Sequence, residues 1–305
     1  MKVVQYRIVF YIISAVLMAS SIAAISIWGL NFGIDFKGGS IIEVEYSSPR
    51  PSQESVRAAL APLALKESVR ATGDTGYIIR TRDISHEEKI KVDSLLAVNG
   101  AKFTEKRFDS IGPLLGKEAA RKSIISIVLV ILAIVLFIAF AFRKVSKPVA
   151  SWKYGIAAII ALLHDVVIPT GVFAVLGHYL GYEIDTLFVT ALLVILGFSI
   201  HDTIVVFDRV RENLNHNMGK DNFEVTVGKS VSQTFARSVN TSLTTLIALI
   251  VLYFVGGEAT HHFSLALIIG IIAGTYSSIF IGSTLLVTFE KWSAKAAASK
   301  KLANK

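Results

Sequence analysis

The chain has no cysteine at all, which removes disulfides, thiolate nucleophiles and cysteine-ligated metals from consideration. Charge is scarce too: 18% of the 305 residues are Asp, Glu, Lys or Arg against 53% hydrophobic, and the mean hydropathy is +0.59. Soluble domains carry roughly 25% charged residues, so an ordinary soluble protein is excluded. The net charge of +8 would suit nucleic acid, but the basic residues gather at the ends of apolar blocks, as membrane topology requires. Nucleic acid is therefore not an expected partner. The most polar segment, 31–122, has no phosphate-binding glycine loop and no cluster of His, Asp or Glu, so no catalytic residue, metal site or cofactor is expected.

What is present is a set of apolar blocks about 20 residues long, the length that crosses roughly 30 Å of hydrocarbon. Six spans are predicted, at about 8–28, 123–142, 154–177, 184–207, 238–255 and 264–289. The first could be read as a cleaved signal peptide, given Lys2, Arg7 and small residues near Ala19–Ala24. Its apolar run continues to Leu30, which favours a span. The connections differ in charge. Arg143, Lys144, Lys147 and Lys153 lie in 143–153; Arg209, Arg211, Lys220, Lys229 and Arg237 lie in 208–237; Lys291, Lys295, Lys300, Lys301 and Lys305 lie in the tail. Connections 178–183 and 256–263 have no Lys or Arg. Basic connections stay inside, so both termini are expected in the cytoplasm and 31–122 outside.

Segment 31–122 reads as a small α+β domain. "GSIIEVEY" (39–46) alternates as a strand, and 52–63 reads as a helix capped by Ser52. Two short strands, 66–73 and 76–83, flank a Gly-Asp-Thr-Gly turn. Segment 85–98 opens with Ser85 and Glu88 three residues on, a capping box before a helix, and 101–112 alternates again. The order β-α-β-β-α-β is ferredoxin-like, and the domain reads as a contact module. The expected organisation is span 1 (1–30), external domain (31–122), five-helix bundle (123–290) and basic tail (291–305).

Two His-Asp pairs interrupt the spans, His164-Asp165 and His201-Asp202. A membrane-buried aspartate costs about 2.5–3.5 kcal/mol on insertion scales, so each calls for a role. At 1.5 Å per residue Asp202 lies roughly 8 Å from the cytoplasmic end of its span, and Asp165 roughly 16 Å in, near the midplane. Neighbouring side chains diverge by about 100° around a helix, so neither dipeptide is expected to pair within itself. Asp165 can serve as a proton site or as interhelical glue beside Pro169, whose missing N–H frees a carbonyl. Arg237, Asn240, Thr241 and Thr244 form one polar stripe at i, i+3, i+4 and i+7. Arg237 can pair with Asp202 or anchor at the interface. Arg209, seven residues after Asp202, is a second candidate partner. Gly270, Gly274, Ser277, Ser278 and Gly282 permit close helix approach in the last span. "GIDFKGG" (33–39), with Asp35, Gly38 and Gly39, suits a tight path from membrane to domain.

Those stretches, together with "SIGP" (110–113), "ALLHDVVI" (161–168), "GFSIHDTIVVFDRVREN" (197–213) and "FARSVNTSLTTL" (235–246), resemble the SecF family of bacterial protein-export membrane subunits in the resistance-nodulation-division superfamily. The resemblance implies a multi-pass protein of the bacterial inner membrane that works with SecD beside the SecYEG channel. It implies use of the proton-motive force to draw translocating preproteins outward, with room for other accessory membrane subunits. It maps the family's proton-path residues to Asp202 and Arg237. Related proteins carry Asn where this chain has His201, so His201 and His164 rank as supporting polar residues with Asp165, Asn240, Thr241, Thr244 and Arg209. Asp35, Gly38 and Gly39 would form the hinge where the chain enters the domain. Six spans and one external domain correspond to half of a superfamily unit, which a SecD-type partner would complete. The alternatives are a proton-driven small-molecule or lipid exporter of the same superfamily, and a purely structural assembly subunit.

Overall fold

In the computed structural model, residues 3–47, 50–65, 68–143, 149–217 and 221–303 are described. Lys144, Lys147, Lys220 and Lys305 of the basic segments, and Lys66-Glu67 at the expected start of the second strand, lie outside them. The chain divides into two compact units, Phe32–Ile124 and the rest.

The smaller unit opens with a one-turn helix, α1′s successor in the chain, so elements are numbered from the first long helix: α1 (Arg7–Trp28), α2 (Ile34–Lys37), β1 (Gly39–Tyr46), α3 (Gln53–Leu60), β2 (Ser68–Thr72), β3 (Gly76–Thr81), α4 (His86–Leu96) and β4 (Phe103–Ile111). The sheet order is β2-β3-β1-β4 with antiparallel neighbours, the ferredoxin-like arrangement. Alternation drives it: Ile42, Val44 and Tyr46 of β1 meet Val56 and Leu60 of α3 and Val92 and Leu96 of α4 in one buried core. Helix starts follow the capping chemistry. The Ser55 amide donates to Ser52 Oγ at 3.1 Å, and Ser85 and Glu88 form the full capping box. Strand β4 departs from simple alternation because its register against β1 shifts between Glu43 and Val44, a bulge at Lys106. Lys89 is buried on α4, where it is held by Asp93 at 2.6 Å and by Glu105 of β4.

Among the described residues, six helices are long and apolar enough to cross a membrane. They are α1, α5 (Pro113–Ala141), α6 (Ser151–Leu180), α7 (Thr186–Asn217), α8 (Phe223–Val255) and a last span made of α9 (Glu258–Ser277), a π-helical turn (Ser278–Gly282) and α10 (Ser283–Ala303). Helices α5, α7 and α8 run ten residues or more past the expected apolar spans, because a helix does not stop where the hydrocarbon does. The polar ends of α7 and α8 pair as a hairpin: Asn213 Nδ2 donates to Ser230 Oγ and to Gln233 Oε1, each at 2.8 Å. At the same end Glu224 of α8 bridges Arg7 of α1 (2.8 Å) and Lys291 of α10 (2.5 Å).

Small residues set the helix spacing. A Cβ on Gly171 of α6 would sit 2.3 Å from Ser21 Cβ of α1. Along α9 and the π-helical turn after it, Gly270 faces Ile195, Gly274 faces Ser199, and Gly282 faces Thr203, all on α7. This ladder is the close approach expected from the small residues of the last span. Backbones that near allow short serine and threonine side chains to reach across.

Candidate functional site in the helical bundle

Asp165 of α6 is fully buried. Ser199 Oγ of α7 and Ser277 Oγ of α9 both donate to its Oδ2, the latter at 2.8 Å. His164 Nδ1 lies 3.0 Å from its Oδ1. The dipeptide is thus a pair within itself, against the expectation from the 100° divergence. Both side chains extend beyond Cβ into the same interhelical groove, and there they converge. The His164 ring lies face to face with Tyr276, centroids 5.8 Å apart, and its buried Nε2 has no hydrogen-bond partner. Tyr276 OH in turn donates to the Phe10 carbonyl of α1 at 3.0 Å and accepts from Ser14 Oγ at 3.3 Å.

One turn along α7, the hydroxyl layer continues. Thr203 Oγ1 and Ser278 Oγ are 2.8 Å apart, and Ser278 Oγ donates to the Ser199 carbonyl at 3.2 Å. Ser278 begins the π-helical turn, a backbone irregularity that recurs at functional positions within helices. Asp202, beside Thr203, is 4% exposed. Its carboxyl adjoins Ser238 of α8, whose hydroxyl is near enough to interact with it, but the buried Asp202 Oδ2 and Ser238 Oγ do not close a full hydrogen bond. A buried polar atom in that condition costs about 1–3 kcal/mol.

Arg237 lies within electrostatic range of Asp202 but makes no ion pair among the described residues, and it is exposed. The rotation along α8 explains this: Ser238 faces inward, and Arg237 is one residue further round. Asn240, Thr241 and Thr244 share the exposed face with Arg237. The stripe exists, but on the outside of this chain. Arg209 is engaged elsewhere, with Gln233 at 2.7 Å and Glu212 at 2.6 Å. His201 is exposed. Sequence reasoning missed the buried polar face of α8, Ser230, Thr234, Ser238 and Ser242, all buried at four-residue intervals. It also missed Ser199 and Thr203 as partners of the acids. The signal was that four-residue spacing of hydroxyls, overshadowed by the more polar stripe beside it.

In the smaller unit, Gly38 and Gly39 have φ of +79° and +134°. A Cβ on Gly38 would lie 2.7 Å from Pro113 Cα, and one on Gly39 2.7 Å from the Thr81 carbonyl oxygen. On the other side a Cβ on Gly116 would lie 2.9 Å from the Gly38 amide. The glycines form a tightly packed joint between α2, β1 and the first turn of α5. Asp35 is half-buried in the single turn of α2 that precedes them.

Residues 24–49 match the SecD/SecF GG motif, and residues 91–292 match the C-terminal region of the protein export membrane proteins SecD and SecF. SecF of Thermobaculum terrenum is 44% identical over 301 residues, covering 94% of this chain and 93% of the relative. The chain belongs to the SecF family of protein translocase subunits. SecF of Anaerolinea thermophila is 36% identical over 294 residues, covering 95% and 94%. In three dimensions the chain resembles the SecDF crystal structure from a Thermus species, described as a translocon-associated membrane protein, with a TM-score of 0.83 at 30% identity. That likeness covers 95% of this chain but only 39% of the SecDF chain. SecDF in its super-membrane-facing form aligns less closely, at a TM-score of 0.67. Six apolar helices and a small β-sheet domain, in an architecture that matches the SecDF structure, make this a multi-pass membrane protein.

Proposed function

We propose that this SecF-family chain joins a SecD-type partner beside the SecYEG channel and uses the proton-motive force to promote export of preproteins. In this reading Asp202 takes up and releases a proton during the cycle, and Arg237 modulates it when the partner closes over the exposed face of α8. The observation that carries the reading is the Asp202 carboxyl, 4% exposed within an apolar span, with Ser238 beside it and one buried oxygen that closes no full hydrogen bond. Arg237, exposed and unpaired among the described residues yet within range, supplies an adjustable charge. One charge moved through 100 mV is worth about 2.3 kcal/mol, enough to bias a two-state cycle about 50-fold. Both termini are cytoplasmic, supported by basic Arg143 and Lys153 at one end of the bundle and by the lack of Lys and Arg in 178–183 and 256–263. The external domain then meets the partner's substrate-gripping domain, and the Gly38–Gly39 joint transmits movement to it.

The test is proton-driven preprotein translocation in vesicles holding the chain, its partner and the channel. Asp202→Asn is expected to abolish the proton-dependent component and leave assembly intact. Undiminished proton-dependent translocation in that variant would exclude the reading.

A further inference from the structure

From the geometry around Asp165 we infer that His164 and Asp165 form a second proton-binding site, with the proton carried on His164 Nε2. Its place in a transport cycle rests on the proton-coupled reading above; its capacity to bind a proton does not.

The assignment follows from donor and acceptor accounting. Ser199 and Ser277 both donate to Asp165 Oδ2, so Oδ1 is left to accept, and the donor facing it is His164 Nδ1. An ionised carboxylate can only accept, and three donors are what a buried one needs. With Asp165 ionised, the neutral imidazole is the Nδ1–H tautomer and Nε2 keeps a lone pair. That atom is buried and has no hydrogen-bond partner. Adding H⁺ to Nε2 turns the imidazole into an imidazolium, whose charge is balanced by Asp165 at 3.0 Å; losing it restores the neutral ring. No other group need change its protonation.

The surroundings suit this role better than simple packing does. The titratable group set against the ring from α9 is Tyr276, whose face can receive a cation. From α1 comes Ser14, bonded to Tyr276 OH, and from α7 comes Ser199. Neither His164 nor Asp165 has a Lys or Arg ion pair among the described residues. Ser199, Ser278 and Thr203 then connect this layer with the turn of α7 that holds Asp202.

The experiment is NMR of isotope-labelled histidines in the whole chain in lipid nanodiscs. The chain has seven histidines, and loss of one signal in His164→Gln identifies the resonance; if that variant does not fold, through-bond linkage to Asp165 in the wild type does so. The expected result is a His164 signal in the Nδ1–H form that becomes doubly protonated within the range from about pH 9 to about pH 5. Asp165→Asn should shift that midpoint by about one pH unit or more, a tenfold change in proton affinity. A His164 signal that stays in one neutral form throughout, or that titrates identically in Asp165→Asn, overturns the inference. Asp202→Asn should leave the His164 titration in place. Failure of the Asp202 reading would appear as unaltered translocation, separate from this signal.

Discussion

Replacing Gly38 by Ala tests the packed joint most directly. Two costs add at this position. The backbone holds φ +79° and ψ 163°, a region essentially confined to glycine, and a non-glycine residue there costs about 1–3 kcal/mol. The new methyl would also stand 2.7 Å from Pro113 Cα and 2.9 Å from Pro113 N, backbone atoms that cannot rotate away. Overpacking of this kind costs about 1–3 kcal/mol. The sum is about 2–6 kcal/mol, a large share of a typical domain stability of about 5–15 kcal/mol. Gly73 is the control: its φ is +54°, but a Cβ there meets nothing within 4 Å. Gly73→Ala should cost only about 1–2 kcal/mol for the left-handed conformation. Amide exchange on the whole chain in nanodiscs reads the difference. Amides of β1 and of the first turns of α5 should exchange at least about 30-fold faster in Gly38→Ala, since about 1.4 kcal/mol corresponds to tenfold. The result that refutes the reasoning is Gly38→Ala exchanging no faster than Gly73→Ala in those segments, because the contact with α5 would then contribute nothing.

Two further outcomes follow from local chemistry. Ser277→Ala removes one of two hydroxyl donors on a buried carboxylate and should cost about 1.5–3 kcal/mol, read as a lower Tm in lipid nanodiscs; in an Asp165→Asn background the same change should cost clearly less, and equal costs would deny the charge-assisted bond. In the small α+β domain, hydrogen bonds from Arg82 and from the Ser85 amide hold Glu88 down at about 2 from an ordinary value of 4.5. A lowered folded-state value means stabilisation that is present above 4.5 and lost as pH falls from 4.5 through about 2. Glu88→Gln should flatten the dependence of α4 amide exchange on pH in that window, and an unchanged profile would show that the capping box does not carry it.

The packing of the bundle also bears on what surrounds it. Helix α5 buries one face, with Ile127, Ile131, Ile134 and Ile138 on the bundle core, and leaves the rest of its apolar length exposed, and α8 presents Leu243, Ile247, Val251 and Phe254 outward beside Arg237, Asn240, Thr241 and Thr244. An Arg and three amide or hydroxyl side chains facing hydrocarbon would each be costly. Contact with a second polar helix face would relieve that cost, and Thr244 Oγ1 already bonds the Thr241 carbonyl at 2.8 Å.

Much of the architecture was legible from one-dimensional pattern. Apolar runs of a bilayer's length marked six helices, period-2 alternation marked the strands, and Ser85 with Glu88 marked a helix start, because hydrophobic burial and capping are decided by residues a few positions apart. The small residues at 270, 274 and 282 announced close packing for the same reason. Helix ends were less legible, since polar turns of α7 and α8 stay helical beyond the hydrocarbon by pairing with each other through Asn213, Ser230 and Gln233. The bulge at Lys106 was invisible, because it depends on register against β1. In the bundle, sequence alone singled out Asp165 and Asp202 as residues that apolar helices do not carry idly. Which way each helix turns, and therefore which hydroxyl meets which acid, was decided only by tertiary packing. A rotation of 100° separates Ser238, buried beside Asp202, from Arg237 on the outer face, and the near contact of α7 with α9 is what brings Ser199 and Ser277 onto Asp165. Those are interhelical distances, and no spacing along a single helix contains them.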